Sequence, residues 1–358
     1  MEKKIKNQCI HKIGVLGAFG FSSLAEATGG QPVKSRMLYL ALCNRYGETN
    51  VLYVETYKWR CNPLRMLFQL IRVIRKCSII IMLPAQNGVK FFLPILIRLK
   101  RKKTKLYYDV IGGWIAEMAH RRTKLIDELK QLDGIWVETT SMKKALSEIG
   151  VNNVNVVPNF KQLHVIDENR LTRKPSEPYH VCTFSRVMRE KGITNAIVSV
   201  GVVNKEIGRR VFILDVYGPV DDSYKSEFSR FMSKAVDYAQ YKGIVDPEAS
   251  VQTLQNYDAL LFPTEFYTEG VPGTIIDAYS AGVPVITSLW LNSADVFWEG
   301  ETGWGYPFGD KGGLERQLRR FFENPIMFSK MRKKCTERAS LFSCDYAMNR
   351  ISSIIEKG

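Results

Sequence analysis

The sequence predicts an α/β protein made of two Rossmann-like, doubly wound domains. Its 358 residues are enough for about two domains, and 45% of them are hydrophobic, which can fill two cores. Short apolar runs typical of buried parallel strands alternate with helical segments along most of the chain. One series runs from residues 13–19 to residues 153–159, and a second begins at residues 180–185. Each series predicts one parallel sheet covered by helices.

A segment without periodicity separates the two series. Residues 157–180 gain proline and polar residues, as expected for an interdomain linker. The predicted domains are therefore residues 1–165 and residues 175–339. The end of the chain, from about residue 340 to residue 358, is predicted to be helical.

Residues 257–287, YDALLFPTEFYTEGVPGTIIDAYSAGVPVIT, form the most informative stretch for function. The pattern predicts a buried strand, a loop carrying Glu269, a helix that starts at Thr274, and a second buried strand. Asp277 is predicted to lie in the first turn of this helix. Free N–H groups and the helix dipole at such a start favour an anion, and a neighbouring carboxylate can accept hydrogen bonds from sugar hydroxyls. The combination indicates a site for a nucleotide-sugar.

The same stretch resembles a known enzyme family. Seven residues separate Glu269 from Asp277, and FPTEFYTEG with IIDAYSAGVPVI resembles the E-x7-E region of glycosyltransferase family 4. Aspartate replaces the second glutamate, a departure that keeps a carboxylate. Four further segments resemble family elements in the same order: the glycine-rich loop and helix at 17–42, the R-x4-K-G element at 184–192, VYGPV at 216–220 and YKGIV at 241–245.

The resemblance implies a GT-B fold, in which two Rossmann-like domains face a cleft, and a retaining, metal-independent sugar transfer. It also implies that residues 1–165 bind the acceptor, that residues 175–339 bind the nucleotide-sugar, and that the C-terminal helix packs back on the first domain. The sequence shows no D-x-D motif and no metal-ligand spacing among its seven cysteines, so no metal cofactor is expected. A UDP- or GDP-linked sugar is the expected donor.

Three residues are the predicted catalytic groups. Arg186 and Lys191 lie five residues apart on a loop that follows a predicted strand, so both can reach one diphosphate. By resemblance they stabilise the departing diphosphate, and Glu269 binds the donor sugar near the reacting carbon. The resemblance assigns further donor contacts to Gly29, Gly30, Gly218, Ile244, Val245, Gly273, Thr274 and Asp277.

The candidate acceptor-binding residues are Gln31, Asp109, Gly112 and Gly113. Many family members carry a histidine after the strand that corresponds to LYYDVIGGW, whereas this sequence has Asp109 and two glycines there. His120 lies seven residues beyond Gly113 and is not assigned that role. Asp109 is therefore expected to bind the acceptor or the sugar instead.

The positive charge is concentrated in the first half of the chain. Residues 1–165 hold 27 of the 51 Lys and Arg residues but only 11 of the 36 Asp and Glu residues. Basic residues interleave with bulky apolar ones at 58–76 and again at 91–105, a pattern typical of helices that lie on an anionic membrane surface. A core-facing helix with a basic outer face is the alternative. A nucleic-acid partner is not expected, because no nucleic-acid-binding module is visible.

The cellular location is predicted from what the sequence lacks. No apolar run is long enough for a transmembrane helix, and the first residues lack the apolar core of a signal peptide. No C-x-x-C pair is visible among the cysteines, which suits reduced thiols. These features and the basic half predict a cytoplasmic protein that is peripheral on the inner face of the cytoplasmic membrane.

The predicted function is retaining transfer of a sugar from a nucleotide-diphosphate donor to a lipid-linked or glycan acceptor. The implied pathway is bacterial surface polysaccharide assembly, such as capsule, exopolysaccharide or lipopolysaccharide. Two alternatives keep the fold: a transferase with a small soluble acceptor, and a catalytically inactive nucleotide-sugar-binding partner. The second predicts loss of Glu269, Arg186 or Lys191, and all three are present. A basic nucleic-acid binder is a third alternative, which a gel shift would test.

Overall fold

The structure is a computed structural model that describes residues 11–23, 30–167, 169, 171 and 174–357. The chain divides into two compact units. The first comprises Met1–Lys161 together with Cys344–Gly358, and the second comprises Gln162–Ser343. In the described part of the chain, each unit is built around a six-stranded sheet.

The strands of the first unit are short apolar runs, which suits a parallel sheet buried on both faces. They are β1 (Ile13–Gly17), β2 (Val51–Glu55), β3 (Ile79–Met82), β4 (Lys105–Asp109), β5 (Gly134–Val137) and β6 (Val154–Val156). Their order is β2-β1-β3-β4-β5-β6, and all neighbours are parallel. Because β2 and β3 lie on opposite sides of β1, the sheet has a switch point there, the usual place for a ligand in such folds.

Helices cover both faces of this sheet. They are α1 (Gly30–Tyr46), α2 (Pro63–Lys76), α3 (Gln86–Leu99), α4 (Ile115–His120), α5 (Thr123–Lys130), α6 (Thr140–Glu148) and the C-terminal helix Cys344–Lys357. Residues of α2 to α6 form the core on one face, whereas α1 and the C-terminal helix form the core on the other. Met348 and Ile351 are buried beside Leu38 of α1, and the Tyr46 hydroxyl donates a hydrogen bond to Ser352 Oγ at 3.0 Å. The end of the chain thus completes the core of the first unit.

The second unit repeats this architecture. Its strands are β7 (Tyr179–Phe184), β8 (Phe212–Tyr217), β9 (Ala239–Gly243), β10 (Ala259–Phe262), β11 (Val285–Leu289) and β12 (Gly303–Pro307). Its helices are α7 (Ile193–Ile207), α8 (Lys225–Lys234), α9 (Ser250–Leu254), α10 (Gly273–Ser280), α11 (Gly313–Glu323), α12 (Pro325–Ser329) and α13 (Arg332–Ala339). The parallel strand order is β12-β11-β10-β7-β8-β9, with apolar cores on both faces. The predicted α/β fold with two doubly wound sheets is confirmed.

Candidate functional site

The loop after β7 carries the first two predicted catalytic residues. Arg186 is exposed on this loop, and Lys191 ends a single 3₁₀ turn, Arg189–Lys191. Gly192 follows with a φ of 68°, in the left-handed region that favours glycine. A Cβ on Gly192 would lie 1.8 Å from the carbonyl oxygen of Pro263, at the end of β10. Glycine at this position therefore lets the loop after β7 lie directly against the loop after β10.

Hydrogen bonds fix these two loops to one another. The carbonyl oxygen of Glu190 accepts from the backbone N–H of Glu265 at 2.8 Å and from Thr264 Oγ1 at 3.3 Å. Further along the second loop, Asn292 Nδ2 donates to the carbonyl oxygen of Glu269 at 2.7 Å. The consequence is that Lys191 and Glu269, 78 positions apart in sequence, are held at the same edge of the sheet.

Lys191 and Glu269 form an ion pair. Lys191 Nζ donates to Glu269 Oε2 at 2.5 Å, and both side chains are largely but not fully buried. Lys191 Nζ also lies 5.8 Å from the centre of the Phe262 ring, in cation–π geometry. A partly desolvated ammonium with a carboxylate beside it can hold an anion and a sugar hydroxyl at neighbouring points.

The start of α10 lies in the same loop region. This helix begins at Gly273, one residue before the predicted start, and among the described residues no side chain caps it. Its first amides are therefore suited to an anion. The side-chain oxygen of Thr274 is buried and has no hydrogen-bond partner within the part of the chain that the structure describes. Gly273 and Thr274 remain the predicted phosphate contacts.

One detail of the prediction for α10 is wrong. Asp277 is the fifth residue of α10 and lies in its second turn, because the helix starts at Gly273 and runs to Ser280. Asp277 is also buried, with 7% of its surface exposed. The helix dipole acts mainly on the first turn, so it contributes little at Asp277.

The ends of β8 and β9 join this edge through Gly218. Its φ is 127°, and a Cβ there would lie 1.9 Å from the carbonyl oxygen of Ser185, so glycine allows close approach to the Arg186 loop. Gly218 donates its N–H to the carbonyl oxygen of Gly243 at 2.8 Å. The segment YKGIV at 241–245 is a strand up to Gly243, and only Ile244 and Val245 extend beyond β9. Ile244 is exposed there.

The candidate residues of the first unit lie in different surroundings. Gly29 lies outside the described residues, and Gly30 is the exposed first residue of α1. Gln31 Nε2 donates to the carbonyl oxygen of Leu83 at 3.1 Å. Gly112, with a φ of 79°, and the partly exposed Gly113 precede Trp114, which lines the same cavity as Gln31.

This cavity has a volume of about 520 Å³ and lies at the switch point of the first sheet, where the ends of β1, β2 and β3 meet. Among the described residues, its wall combines aromatic rings with side-chain amides and includes no charged side chain. The lining residues are Ala18, Gln31, Thr56, Trp59, Pro84, Ala85, Gln86, Asn87, Gly88, Phe92 and Trp114. Aromatic faces and amides are suited to the apolar faces and hydroxyls of a sugar ring.

The acceptor role predicted for Asp109 is wrong. Its carboxylate has no exposed surface, and Oδ1 lies 3.0 Å from Lys34 Nζ, which is 3.1 Å from Glu138 Oε1. Burial raises the pKa of Asp109 against the opposing effect of Lys34. For Lys34, burial alone would lower the pKa, but the two carboxylates outweigh it and raise the pKa above its ordinary value. Asp109 belongs to an internal ion cluster and does not reach a ligand.

Sequence reasoning missed several residues that shape these sites. Asn292 holds the Glu269 loop from 23 positions away, and Lys34 pairs with carboxylates 75 and 104 positions away. No local pattern reveals such partners. Gly192 was visible as part of the R-x4-K-G element, but its close approach to Pro263 was not.

Two negative observations apply to the described residues only. Among them, no group of three His, Cys, Asp or Glu side chains is arranged to hold a metal ion. None of the helices that the structure describes combines the length and the apolarity needed to cross a membrane.

Comparison with known proteins identifies the second unit. Residues 166–342 match the family described as Glycosyl transferases group 1. The amylovoran biosynthesis glycosyltransferase AmsK of Erwinia amylovora is 22% identical over 190 residues, 51% of this chain and 45% of that protein. The putative colanic acid biosynthesis glycosyltransferase WcaL of Escherichia coli is 22% identical over 184 residues, 50% of this chain and 42% of that protein. The aligned region thus spans less than half the length of either relative.

A solved structure extends the similarity of fold to nearly the whole chain. HepE of Anabaena in complex with UDP superposes with a TM-score of 0.75 at 13% identity, covering 97% of this chain and 100% of that one. This likeness establishes the GT-B class of fold, as the sequence motifs predicted. Residues 166–342, about half of the chain, are thus similar to the glycosyl transferases group 1 family.

Proposed function

We propose that the chain is a retaining glycosyltransferase of family 4, which transfers a hexosyl group from a nucleoside-diphosphate donor to a lipid-linked or glycan acceptor. The observation that carries this proposal is the ion pair between Lys191 and Glu269, held at the carboxyl edge of the second sheet. Arg186 and the uncapped start of α10 lie on the two loops that meet there. The arrangement offers cations and amides to a diphosphate and a carboxylate to the sugar attached to it.

The diphosphate end of the donor is assigned to Arg186, Lys191 and the amides of Gly273 and Thr274. As the bond between the anomeric carbon and the phosphate oxygen breaks, negative charge grows on that oxygen, and fixed cations stabilise it. This role does not call for a metal ion, so we expect transfer to continue in the presence of a chelator. The bound UDP in HepE supports a uridine nucleotide, and GDP is the alternative.

The sugar end of the donor is assigned to Glu269, and the nucleoside to Gly218, Ile244, Val245 and Asp277. In the single displacement proposed here, retention requires the acceptor oxygen to attack from the face that the phosphate leaves. The new bond joins that oxygen to the anomeric carbon, and the hydroxyl proton passes to the departing phosphate oxygen. Glu269 hydrogen-bonds the sugar hydroxyls and holds the ring in position for this exchange.

The acceptor end is assigned to the uncharged cavity of the first unit. Trp59, Trp114 and Gln31 would pack against and hydrogen-bond a sugar ring, with Gly112 and Gly113 leaving room beside Trp114. Gly30 at the start of α1 remains assigned to the donor. The related AmsK and WcaL carry the names of amylovoran and colanic acid biosynthesis. This supports surface polysaccharide assembly as the pathway, at the inner face of the cytoplasmic membrane.

One experiment separates this proposal from two alternatives, a transferase with a small soluble acceptor and an inactive nucleotide-sugar-binding protein. The purified chain is mixed with a panel of UDP- and GDP-linked sugars, and thermal unfolding is followed. A ligand at 100 times its dissociation constant adds about 2.7 kcal/mol to the free energy of unfolding. The stabilising donor is then supplied with a polyprenyl-linked sugar or with a small free sugar, and the anomeric configuration of the product is read by NMR.

Transfer to the polyprenyl-linked sugar with retention supports the proposal. Transfer to the free sugar alone would indicate a small-acceptor enzyme. Stabilisation by a donor without transfer or hydrolysis would indicate an inactive nucleotide-sugar-binding protein. If no nucleotide-sugar stabilises the chain, the proposed donor site is wrong.

A further inference from the structure

Helix α2 has two apolar faces instead of one. Asn62 starts the helix by accepting a hydrogen bond from the N–H of Arg65, and Pro63 occupies its first position. The inner face packs into the core of the first unit through Met66, Leu70, Val73 and Ile74. The outer face also carries large apolar side chains, with Leu64 78%, Leu67 48%, Phe68 69% and Ile71 41% exposed.

These four exposed residues, here named the outer stripe, follow a helical repeat. They occupy positions i, i+3, i+4 and i+7, so they lie along one side of the helix. A surface helix of a soluble domain normally carries polar residues on that side. Single exposed apolar residues are common, but four at this spacing on one helix form a continuous stripe. The outer stripe therefore indicates a surface that becomes buried against something apolar.

The charge around the outer stripe is of one sign. Between Thr56 and Tyr108 the sequence has 13 Lys and Arg residues and no Asp or Glu. Four of the basic residues are in α2, and all four are exposed: Arg65, Arg72, Arg75 and Lys76. An acidic soluble glycan would account for the charge but not for the stripe. A surface that is apolar and anionic at once accounts for both.

We propose that α2 is a membrane-docking helix whose outer stripe inserts into the headgroup region of an anionic bilayer, with its basic residues on the lipid phosphates. The docking proposal rests on the proposed function in one respect: a helix that docks on a membrane suits a transferase whose acceptor is lipid-linked. Trp59 stacks on Phe91 at 5.1 Å between ring centres and lines the cavity, so Phe68 and its neighbours are the inserting groups.

The position of Trp59 connects docking with the acceptor. Trp59 precedes α2 by three residues and forms part of the cavity wall, and Phe91, against which it stacks, is 43% exposed. A bilayer that holds α2 would lie near the start of the helix and therefore near this wall. An acceptor sugar could then enter the cavity while its lipid stays in the bilayer.

The test uses flotation of the full chain with vesicles made of equal parts phosphatidylcholine and phosphatidylglycerol. The double variant Leu67→Ala/Phe68→Ala removes two members of the outer stripe and should bind these vesicles at least about tenfold more weakly than the wild type. The matched control is Ile326→Ala/Met327→Ala. It removes two adjacent apolar residues of the second unit with similar exposure, 66% and 53%, and should bind like the wild type.

Salt and charge give a second measurement. Replacing Arg72, Arg75 and Lys76 by Glu should abolish binding at low salt, because each basic residue contributes about 1 kcal/mol near an anionic surface. Wild-type binding should fall as salt rises, since screening acts over about 8 Å at physiological salt, but the inserted stripe should leave a residual fraction. The Leu67→Ala/Phe68→Ala variant should lose that residual fraction, whereas its control Ile326→Ala/Met327→Ala should keep it. Vesicles of phosphatidylcholine alone should bind the wild type weakly.

Three outcomes would overturn the docking proposal. They are no flotation of the wild type at low salt, equal flotation of the stripe variant and its control, or wild-type binding that high salt removes completely. The last would indicate an electrostatic partner without insertion. Binding of UDP to the stripe variant, measured by calorimetry, separates this proposal from the donor site. Unchanged UDP affinity with lost flotation supports docking, whereas flotation without UDP binding by the wild type would overturn the proposed function and leave docking intact.

Discussion

Lys191 Nζ lies 2.5 Å from Glu269 Oε2. The residue predicted to bind the phosphates and the residue predicted to bind the sugar therefore pair with each other before any donor is present. A diphosphate at this site must therefore compete with Glu269 for the ammonium group. The pair also holds the Lys191 side chain in one orientation, which lowers the entropy lost when a phosphate binds. Two opposite effects of Glu269, on nucleotide binding and on transfer, follow from this relationship.

We predict that Glu269→Ala lowers transfer but strengthens binding of the nucleoside diphosphate. Turnover should fall at least about tenfold, a loss of about 1.4 kcal/mol or more of transition-state stabilisation. Affinity for UDP should rise about two- to fivefold, because Lys191 loses its competing partner and the phosphates lose a nearby negative charge. Steady-state kinetics and calorimetry measure the two effects. Glu265→Ala, on the same loop, is the control and should change neither. Weaker UDP binding by Glu269→Ala would contradict the pairing described above.

Arg186→Ala and Lys191→Ala should each weaken binding of UDP by about tenfold, the value of one charge-assisted hydrogen bond. Arg189→Ala is the matched control, because Arg189 lies on the same loop but pairs with Glu227 on α8. It should leave the affinity unchanged. Calorimetric titration of the three variants with UDP measures these affinities. Wild-type affinity in both Arg186→Ala and Lys191→Ala would place the diphosphate elsewhere.

Gly192→Ala should disrupt the contact between the two catalytic loops. The new Cβ would meet the carbonyl oxygen of Pro263 at 1.8 Å, a clash that the backbone must relieve by moving. Gly208 provides the control. Gly192 directly precedes α7, and Gly208 directly follows it with a φ of 79°. A Cβ on Gly208 would meet no atom of a neighbouring segment within 4 Å.

Both substitutions place alanine in the left-handed region, at a cost of about 1 kcal/mol. Gly192→Ala should cost about 2 kcal/mol more than Gly208→Ala and should also lower turnover, since Lys191 is the preceding residue. Urea unfolding and kinetics of the two variants test this. Equal stability of the two variants would show that the loops separate easily and that Gly192 is not a fixed contact.

Much of the donor site could be predicted because its determinants are local. Strands that are buried on both faces read as apolar runs, and the segments between them carry Gly192, Gly218 and Gly273. Of these three glycines, Gly192 and Gly218 closely approach another segment, and Gly273 is the first residue of α10. The start of α10 was placed one residue late because Pro272 and Gly273 were assigned to the preceding turn, whereas proline is also a favoured residue just before a helix.

The orientation of α2 and the surroundings of Asp109 depend on contacts between segments that are distant in the sequence. The sequence of α2 contains two sets of apolar residues at helical spacing, and only the contacts of the helix show which set faces the core. Asp109 was expected in a binding role because it lies at the end of the strand that is followed by a histidine in many family members. Its partner, Lys34, comes from α1, and the depth of both side chains is set by the packing of that helix on the sheet.

The cluster of Lys34, Asp109 and Glu138 leads to a prediction about stability. Lys34→Met should destabilise the first unit by about 3–5 kcal/mol, because it removes the cation that lies beside the buried carboxylates of Asp109 and Glu138. Lys105→Met is the control. Lys105 pairs with Asp133 at 3.2 Å on a partly exposed surface, and its loss should cost less than about 1 kcal/mol.

A triple variant tests the electrostatic cause of this loss. Adding Asp109→Asn and Glu138→Gln to Lys34→Met removes the charges of both carboxylates while keeping similar side-chain volumes, so much of the lost stability should return. Chemical unfolding of all three proteins, followed by circular dichroism, gives the free energies. If Lys34→Met costs no more than Lys105→Met, the cluster does not hold two ionised carboxylates. If the triple variant is no more stable than Lys34→Met, the loss comes from packing around the lysine chain and not from its charge.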